Sequence, residues 1–120
     1  MASQLLVVNG PIIAAGESLS SAVDCSAGLP VRITMPADWT AAGLSFQMSS
    51  DGNFFNDCFD STGHEIVMTV IPGTAVPIPV HWGNMMGWVK FRSGPRENPV
   101  PQEAKRDFSI AMSKSPAAAA

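Results

Sequence analysis

Proline and glycine punctuate this chain at short intervals, ten of each, and no long segment between them keeps a helical period. Proline removes a backbone donor and glycine costs conformational entropy, so neither belongs inside a regular helix. The pieces they leave are short and rich in Val, Ile, Phe, Thr and Met. Such spacing reads as strands joined by turns.

Several pieces alternate with the two-residue period of a strand. In LPVRITM (residues 29–35), Val31, Ile33 and Met35 share one face, with Arg32 and Thr34 on the other. LSFQM (44–48) aligns Leu44, Phe46 and Met48. In GWVKFR (87–92), Trp88 and Lys90 oppose Val89 and Phe91, and DFSIAM (107–112) aligns Phe108, Ile110 and Met112. Residues 18–24, 54–60 and 65–70 are further candidates, and 4–8 is a short apolar strand or arm. AVPIPV (75–80) carries prolines that confine it to a sheet edge or an extended path. One place suits a helical turn: PADWTAAG (36–43), with Asp38 able to cap it and Gly43 to end it. About eight strands after the first arm predict an antiparallel β-sandwich, jelly-roll-like, in one domain over residues 1–120. Residues 1–13 are expected as an N-terminal arm and 113–120 as a C-terminal tail.

Charged residues make up only 14% of the chain, against about 25% in a typical soluble protein. The neutral surface that follows suits a protein that sits against neighbours. The net charge of −3 argues against direct nucleic-acid binding, and the late basic residues from Lys90 to Lys114 read as a solvated rim. No stretch approaches the roughly 18 apolar residues of a membrane span. The N-terminal run lacks a basic secretory n-region and is interrupted by Asn9, Gly10 and Pro11, so synthesis in the cytoplasm is expected. Cys25 and Cys58 are then expected as reduced, partly buried thiols, with a single disulfide as the alternative.

The polar stretch SSDGNFFNDCFD (49–60) looks like chemistry at first sight. Counted from Asp51, it fails the calcium-loop pattern at the fifth, sixth and twelfth positions, Phe55, Asn56 and Thr62. A looser metal site would use Asp51, Asn53 and Asp57. Asp57 and Asp60 lie three apart and point to opposite faces of a strand, so they do not form an acid–base pair. The residues 50–53 instead read as a hairpin turn, and 60–63 as a second turn in which Asp60 bonds its own backbone. Phe54 and Phe55 are adjacent, so one faces out or a bulge lies there. His64 and His81 have no third ligand at a recognisable spacing. No GxSxG, GxGxxG or phosphate-loop sequence occurs. These residues predict no enzyme, no cofactor and no metal. HWGNMMGW (81–88) stands apart, with two tryptophans and two methionines around glycines. It is either a contact surface or the closure of one end of the core.

The order of AAGESLSSAVDCSAGLPVRITMPADWTAAGLSFQMSSDGNFFNDCFDSTG (14–63), VKFRSG (89–94) and PVPQEAKRDFSIAM (99–112) resembles a group of small virion-associated β-sandwich proteins of tailed bacteriophages and prophages. MPADWTAAGLSFQMSSDG and FRSG are the most specific pieces. None is a catalytic motif, so no functional residue carries over. The resemblance implies a virion structural part on the capsid exterior. Its expected role is decoration or cement, bridging capsomers of the major capsid protein, with self-association as a dimer or trimer. HWGNMMGW and the tetra-alanine end depart from the group's pattern. Three regions are therefore expected to make contacts: Trp82, Met85, Met86 and Trp88; the polar loop with Arg92, Arg96, Lys105 and Arg106; and the tail with Ala117 and Ala120. The alternative is a receptor- or carbohydrate-binding module of a head or tail fibre, with exposed tryptophans stacking on sugar rings.

Overall fold

The computed structural model describes residues 5–114. Two antiparallel sheets pack face to face. One holds β1 (Leu5–Ile13), β9 (Arg106–Ser113), β3 (Leu29–Thr34) and β7 (Ala75–Pro77), in that spatial order. The other runs β2 (Val23–Asp24), β8 (Trp88–Ser93), β4 (Leu44–Ser49), β5 (Asn56–Asp57), with β6 (Val67–Met68) also on β4. Among the described residues a single short helix, α1, spans Val80–Gly83. The pairings are nested: β1 with β9, β2 with β8, β3 with β7, and β4 with β5 and β6. The chain behaves as one long hairpin rolled over on itself, alternating between sheets, which is the jelly-roll arrangement.

The alternating residues fall where the sequence placed them. Leu44, Phe46, Val89, Phe91, Ile33, Ile110 and Met112 are all buried in the common core. A relay of aromatic contacts crosses it: Trp39 to Phe108 at 5.5 Å, Phe108 to Phe91 at 5.1 Å, Phe91 to Phe46 at 5.5 Å and Phe46 to Trp82 at 6.4 Å. The first three are edge-on, the geometry that aligns a positive ring edge with a negative ring face. Cys25 and Cys58 are buried and unbridged.

Four local expectations are corrected. Residues 5–13, expected as part of an arm, form a long strand whose Ile13 is fully buried. Pairing with β9 shifts register between Asn9 and Ile12, where Gly10 takes a φ of 130° that a side chain rarely allows. No helix forms over 36–43. Trp39 buries its ring against Phe108 and donates its indole N–H to the Ala42 carbonyl at 3.1 Å, and Asp38 is drawn to Arg106 rather than to a cap. The helical turn lies instead at α1, where Pro79 O accepts from the Trp82 and Gly83 amides. Gly83 is required there, since an added Cβ would come within 2.5 Å of Pro30 O.

Residues 54–70 do not make two full strands. β5 leaves β4 after Cys58 N–H bonds Phe46 O, and β6 resumes the same edge opposite Ser45 and Leu44. Residues 59–66 are an excursion closed by the Phe59–Glu65 bridge and by Ile66 N–H on Cys58 O. Residues 18–24 are strand only at β2, because Ser20 Oγ accepts the Phe91 amide at 2.8 Å and takes over a ladder bond.

Candidate interaction surface

One end of the sandwich gathers the loop between β4 and β5 and the segment after α1. Ser49 organises the loop: its Oγ accepts the amides of Asp51 (3.2 Å) and Gly52 (2.9 Å) and donates to Asp51 Oδ1 (3.0 Å). Asp51 Oδ1 in turn accepts the amides of Asn53 (2.9 Å) and Phe54 (3.0 Å). Those two amides, with Ser49, hold the Asp51 carboxyl below its ordinary range. Asp51 Oδ1 is therefore consumed by its own turn. Gly52 has a φ of 82° and lies on the Trp88 indole, where a Cβ would sit 2.8 Å from Cε2. Only glycine meets both demands.

The turn ejects Phe54, which is 73% exposed, and turns Phe55 back so that Lys90 lies 4.5 Å over its ring. Across from Phe54, Met85 is 50% exposed, just beyond α1. Between them opens a cleft of about 230 Å³, bordered by Met48, Ser49, Asn56 and Asp51. Ligand pockets usually hold about 300–1,000 Å³ and enclose most of their ligand, so this open cleft suits a partner's side chain better than a small substrate. Among the described residues no group of three or more His, Cys, Asp or Glu is placed to hold a metal. Of Asp51, Asn53 and Asp57, Asp51 Oδ1 is taken up by the turn and Asp57 by two arginines.

The outer face of the β4–β8 sheet carries a charged cluster. Arg92 donates through both terminal nitrogens to Asp57 Oδ1 and through Nε to Ser45 Oγ, and lies 3.6 Å from Glu65. Arg96 donates Nε to Asp57 Oδ2 at 2.9 Å, and its backbone amide bonds the Glu65 carboxylate. Its guanidinium also lies 5.7 Å from the Phe59 ring centre. Burial pushes the Asp57 carboxyl up, but hydrogen bonds from Arg96 and Gln47 and the charge of Arg92 outweigh it, and the group titrates below its ordinary value. Arg96 also meets Glu97 at 3.0 Å, so two cations face three anions, and the cluster ties the 59–66 excursion and residues 92–97 to the sheet rather than awaiting an anion.

A second polar network pins the long loop that precedes β9. Gln102, almost fully buried, accepts the Thr40 amide and Arg106 Nε, and donates to Thr40 O and Ser93 Oγ. Arg106 also bonds Thr40 Oγ1 and Asp38.

The expected contact residues therefore divide. Met85 stands at the cleft, and Trp82 and Trp88 are half-buried beside it, one on Phe46 and one beneath Gly52. Met86, Arg92 and Arg106 are buried and serve the fold, which corrects their placement at a surface. Arg96 is partly exposed but engaged, and Lys105 is exposed with a loose 3.9 Å contact to Asp107. Ala117 and Ala120 lie outside the described residues. Met48 and Asn56 complete the cleft without a sequence signal of their own, since only the fold brings them to Met85. Compared with protein-family models, curated proteins and solved structures, the chain finds no match in any of the three.

Proposed function

We propose that this chain is a bacteriophage virion structural protein that decorates the capsid exterior and stabilises the head by bridging capsomers. The observation that carries the reading is the exposed apolar pair Phe54 and Met85 that borders the cleft, with Phe54 turned outward by the Asp51 turn. Phenylalanine and methionine are favoured where a surface packs onto a partner, and large exposed examples seldom occur together without one. The small charged fraction and the sequence resemblance to virion-associated sandwiches support the same role. The mechanism is interfacial: a protein that binds only the assembled shell stabilises that shell by mass action. The major capsid protein is the partner, and its apolar side chain fills the cleft.

The test is addition of purified protein to capsids of the phage whose genome encodes it. Saturation at a fixed copy number per capsomer, with a higher rupture temperature, is expected. Phe54→Ala and Met85→Ala should each lower occupancy at limiting protein. Absence of saturable capsid binding, with binding on a glycan array, would establish the fibre-module alternative instead.

A further inference from the structure

Residues 54–59 include three phenylalanines, and two of them sit under a cation of their own chain. Lys90 Nζ lies 4.5 Å from the centre of the Phe55 ring. The Arg96 guanidinium lies 5.7 Å from the Phe59 ring centre and also donates Nε to Asp57 Oδ2 at 2.9 Å. A planar guanidinium can face a ring and bond a carboxylate at once, so an aromatic beside an acid suits it. Phe54 and Asp51 form a third aromatic–acid pair, at the cleft, and among the described residues no cation serves it. Asp51 is the only charged residue that borders the cleft. Its Oδ1 takes the Asn53 and Phe54 amides and the Ser49 hydroxyl, whereas Oδ2 accepts no hydrogen bond from the described residues. Phe54 is largely exposed, so its ring has a face to offer. The chain's own basic side chains are placed elsewhere. Arg92 and Arg96 hold Asp57, Arg106 holds Asp38, Lys105 lies near Asp107 and Lys90 covers Phe55. Arg32 is on β3 and Lys114 follows β9, both in the other sheet.

We infer that the capsid segment seated at the cleft carries an arginine beside the apolar side chain that fills it, with the guanidinium on the Phe54 ring and its N–H groups on Asp51 Oδ2. The inference rests on the decoration reading and adds to it the chemistry of the partner. Two features select this occupant. The one formal charge at the cleft is negative and its rim is apolar, so the complement is a cation carried on an apolar stem. The pair to be met is a ring beside a carboxylate, which favours arginine over lysine. A guanidinium presents a flat face to the ring and a fork of donors to the oxygen, whereas an ammonium is a compact, strongly hydrated charge. Arg96 on Phe59 and Asp57 is the same arrangement made within the chain. Met85, across the cleft, is left to the partner's apolar side chain. Docking also withdraws the new ion pair from water, where an exposed pair would contribute little.

The test uses the full chain and the same capsids, and compares the native protein with Asp51→Asn. The asparagine side-chain oxygen still accepts the Asn53 and Phe54 amides, so the turn is kept while the charge is lost. At about 0.1 M salt the variant should need about tenfold more protein for half-occupancy, and at about 1 M salt the two should converge. Asp60→Asn removes the same charge from another exposed turn, in which Asp60 accepts the Thr62 and His64 amides, and should match the native chain. Phe54→Leu keeps an apolar side chain but removes the ring face, and should lose affinity even where Asp51 is intact. Phenylglyoxal, an arginine reagent, applied to the capsids alone should erase the difference between native and Asp51→Asn. Acetylation of capsid lysines should leave that difference in place. Asp51→Asn equal to native at low salt would overturn the arginine. So would a difference that survives phenylglyoxal and disappears on acetylation. In either case lowered occupancy by Phe54→Ala and Met85→Ala would leave the decoration reading standing. No saturable capsid binding by the native chain would overturn both.

Discussion

β1 and β7 are the two edges of the same sheet, yet they solve the problem of being an edge in opposite ways. β7 is three residues long and ends in proline, which leaves a neighbour little to pair with. β1 is nine residues long, mostly apolar, and among the described residues is covered on its outer side only at Ile12. The other sheet uses a third device. Its edge at β5 and β6 is broken into two pairs of residues and clamped by Arg92 and Arg96 on Asp57. Shortness, proline and ion pairing can each blunt an edge, so residues 5–9 of β1, which carry none of these, are the informative stretch.

The largest expected effect tests whether β1 belongs to the core as well as to the edge. Ile13→Ala, at its fully buried end, should cost about 4 kcal/mol in urea unfolding, within the range for emptying a core site. Val76→Ala in half-buried β7 should cost about 1 kcal/mol. Equal losses would mean that both edges are held alike. Next comes the clamped edge. Arg92→Ala strips the more buried cation from Asp57 and should cost about 3 kcal/mol, the low end for breaking a buried pair. Arg96→Ala acts on the same carboxylate from an exposed position and should cost clearly less.

The clamp also carries a pH signature. Asp57 titrates below its ordinary 3.8 in the folded chain, so the stability it adds is complete above that value and is lost as pH falls through the lower folded value. Urea midpoints followed from about pH 5 to about pH 2 should fall less steeply for Asp57→Asn than for the native chain. They should still fall, because Asp51 and Asp60 are lowered too. The smallest change is expected at Phe54→Ala, within about 0.5 kcal/mol of the native stability, because the ring packs mainly against water. A larger loss would make Phe54 a structural residue and remove it as a contact. Thiol reactivity completes the series. Burial pushes Cys58 up to about 12 and Cys25 up to about 11, so neither should alkylate at about pH 8 until the sandwich unfolds.

The sheet-forming segments were legible wherever both sides of a strand differ in polarity. Leu44–Phe46, Val89–Phe91 and Phe108–Met112 show a two-residue alternation because one face meets the core and the other does not. The proline-rich segment at 75–80 was legible as an edge for a backbone reason alone. The helix was misplaced because Asp38 and Gly43 make a plausible capped turn locally, while the long-range bond to Arg106 and the burial of Trp39 decide otherwise. The turn at 50–53 was visible in its Asp-Gly pair, although the loop before β5 is longer than a two-residue hairpin. Arg92 and Arg106 looked like surface cations because charge is the only thing sequence reveals about them. Their partners, Asp57 and Gln102, lie 35 and 4 residues away, and nothing in spacing announces a buried pair. The cleft was half visible, through Met85 and the outward phenylalanine, and half not, since Met48 and Asn56 reach it only through folding.

Nested pairing has a further consequence for how such a chain is made. β1 leaves the ribosome first, and its partner β9 comes last. At roughly 5–20 residues per second, the first strand waits several seconds for its mate. During that interval both of its sides are bare, and an apolar strand without a mate is the segment most exposed to wrong pairing. The order of synthesis therefore makes β1 the strand that most needs protection while growing, and the eight residues of β9 the stitch that closes one of its two sides.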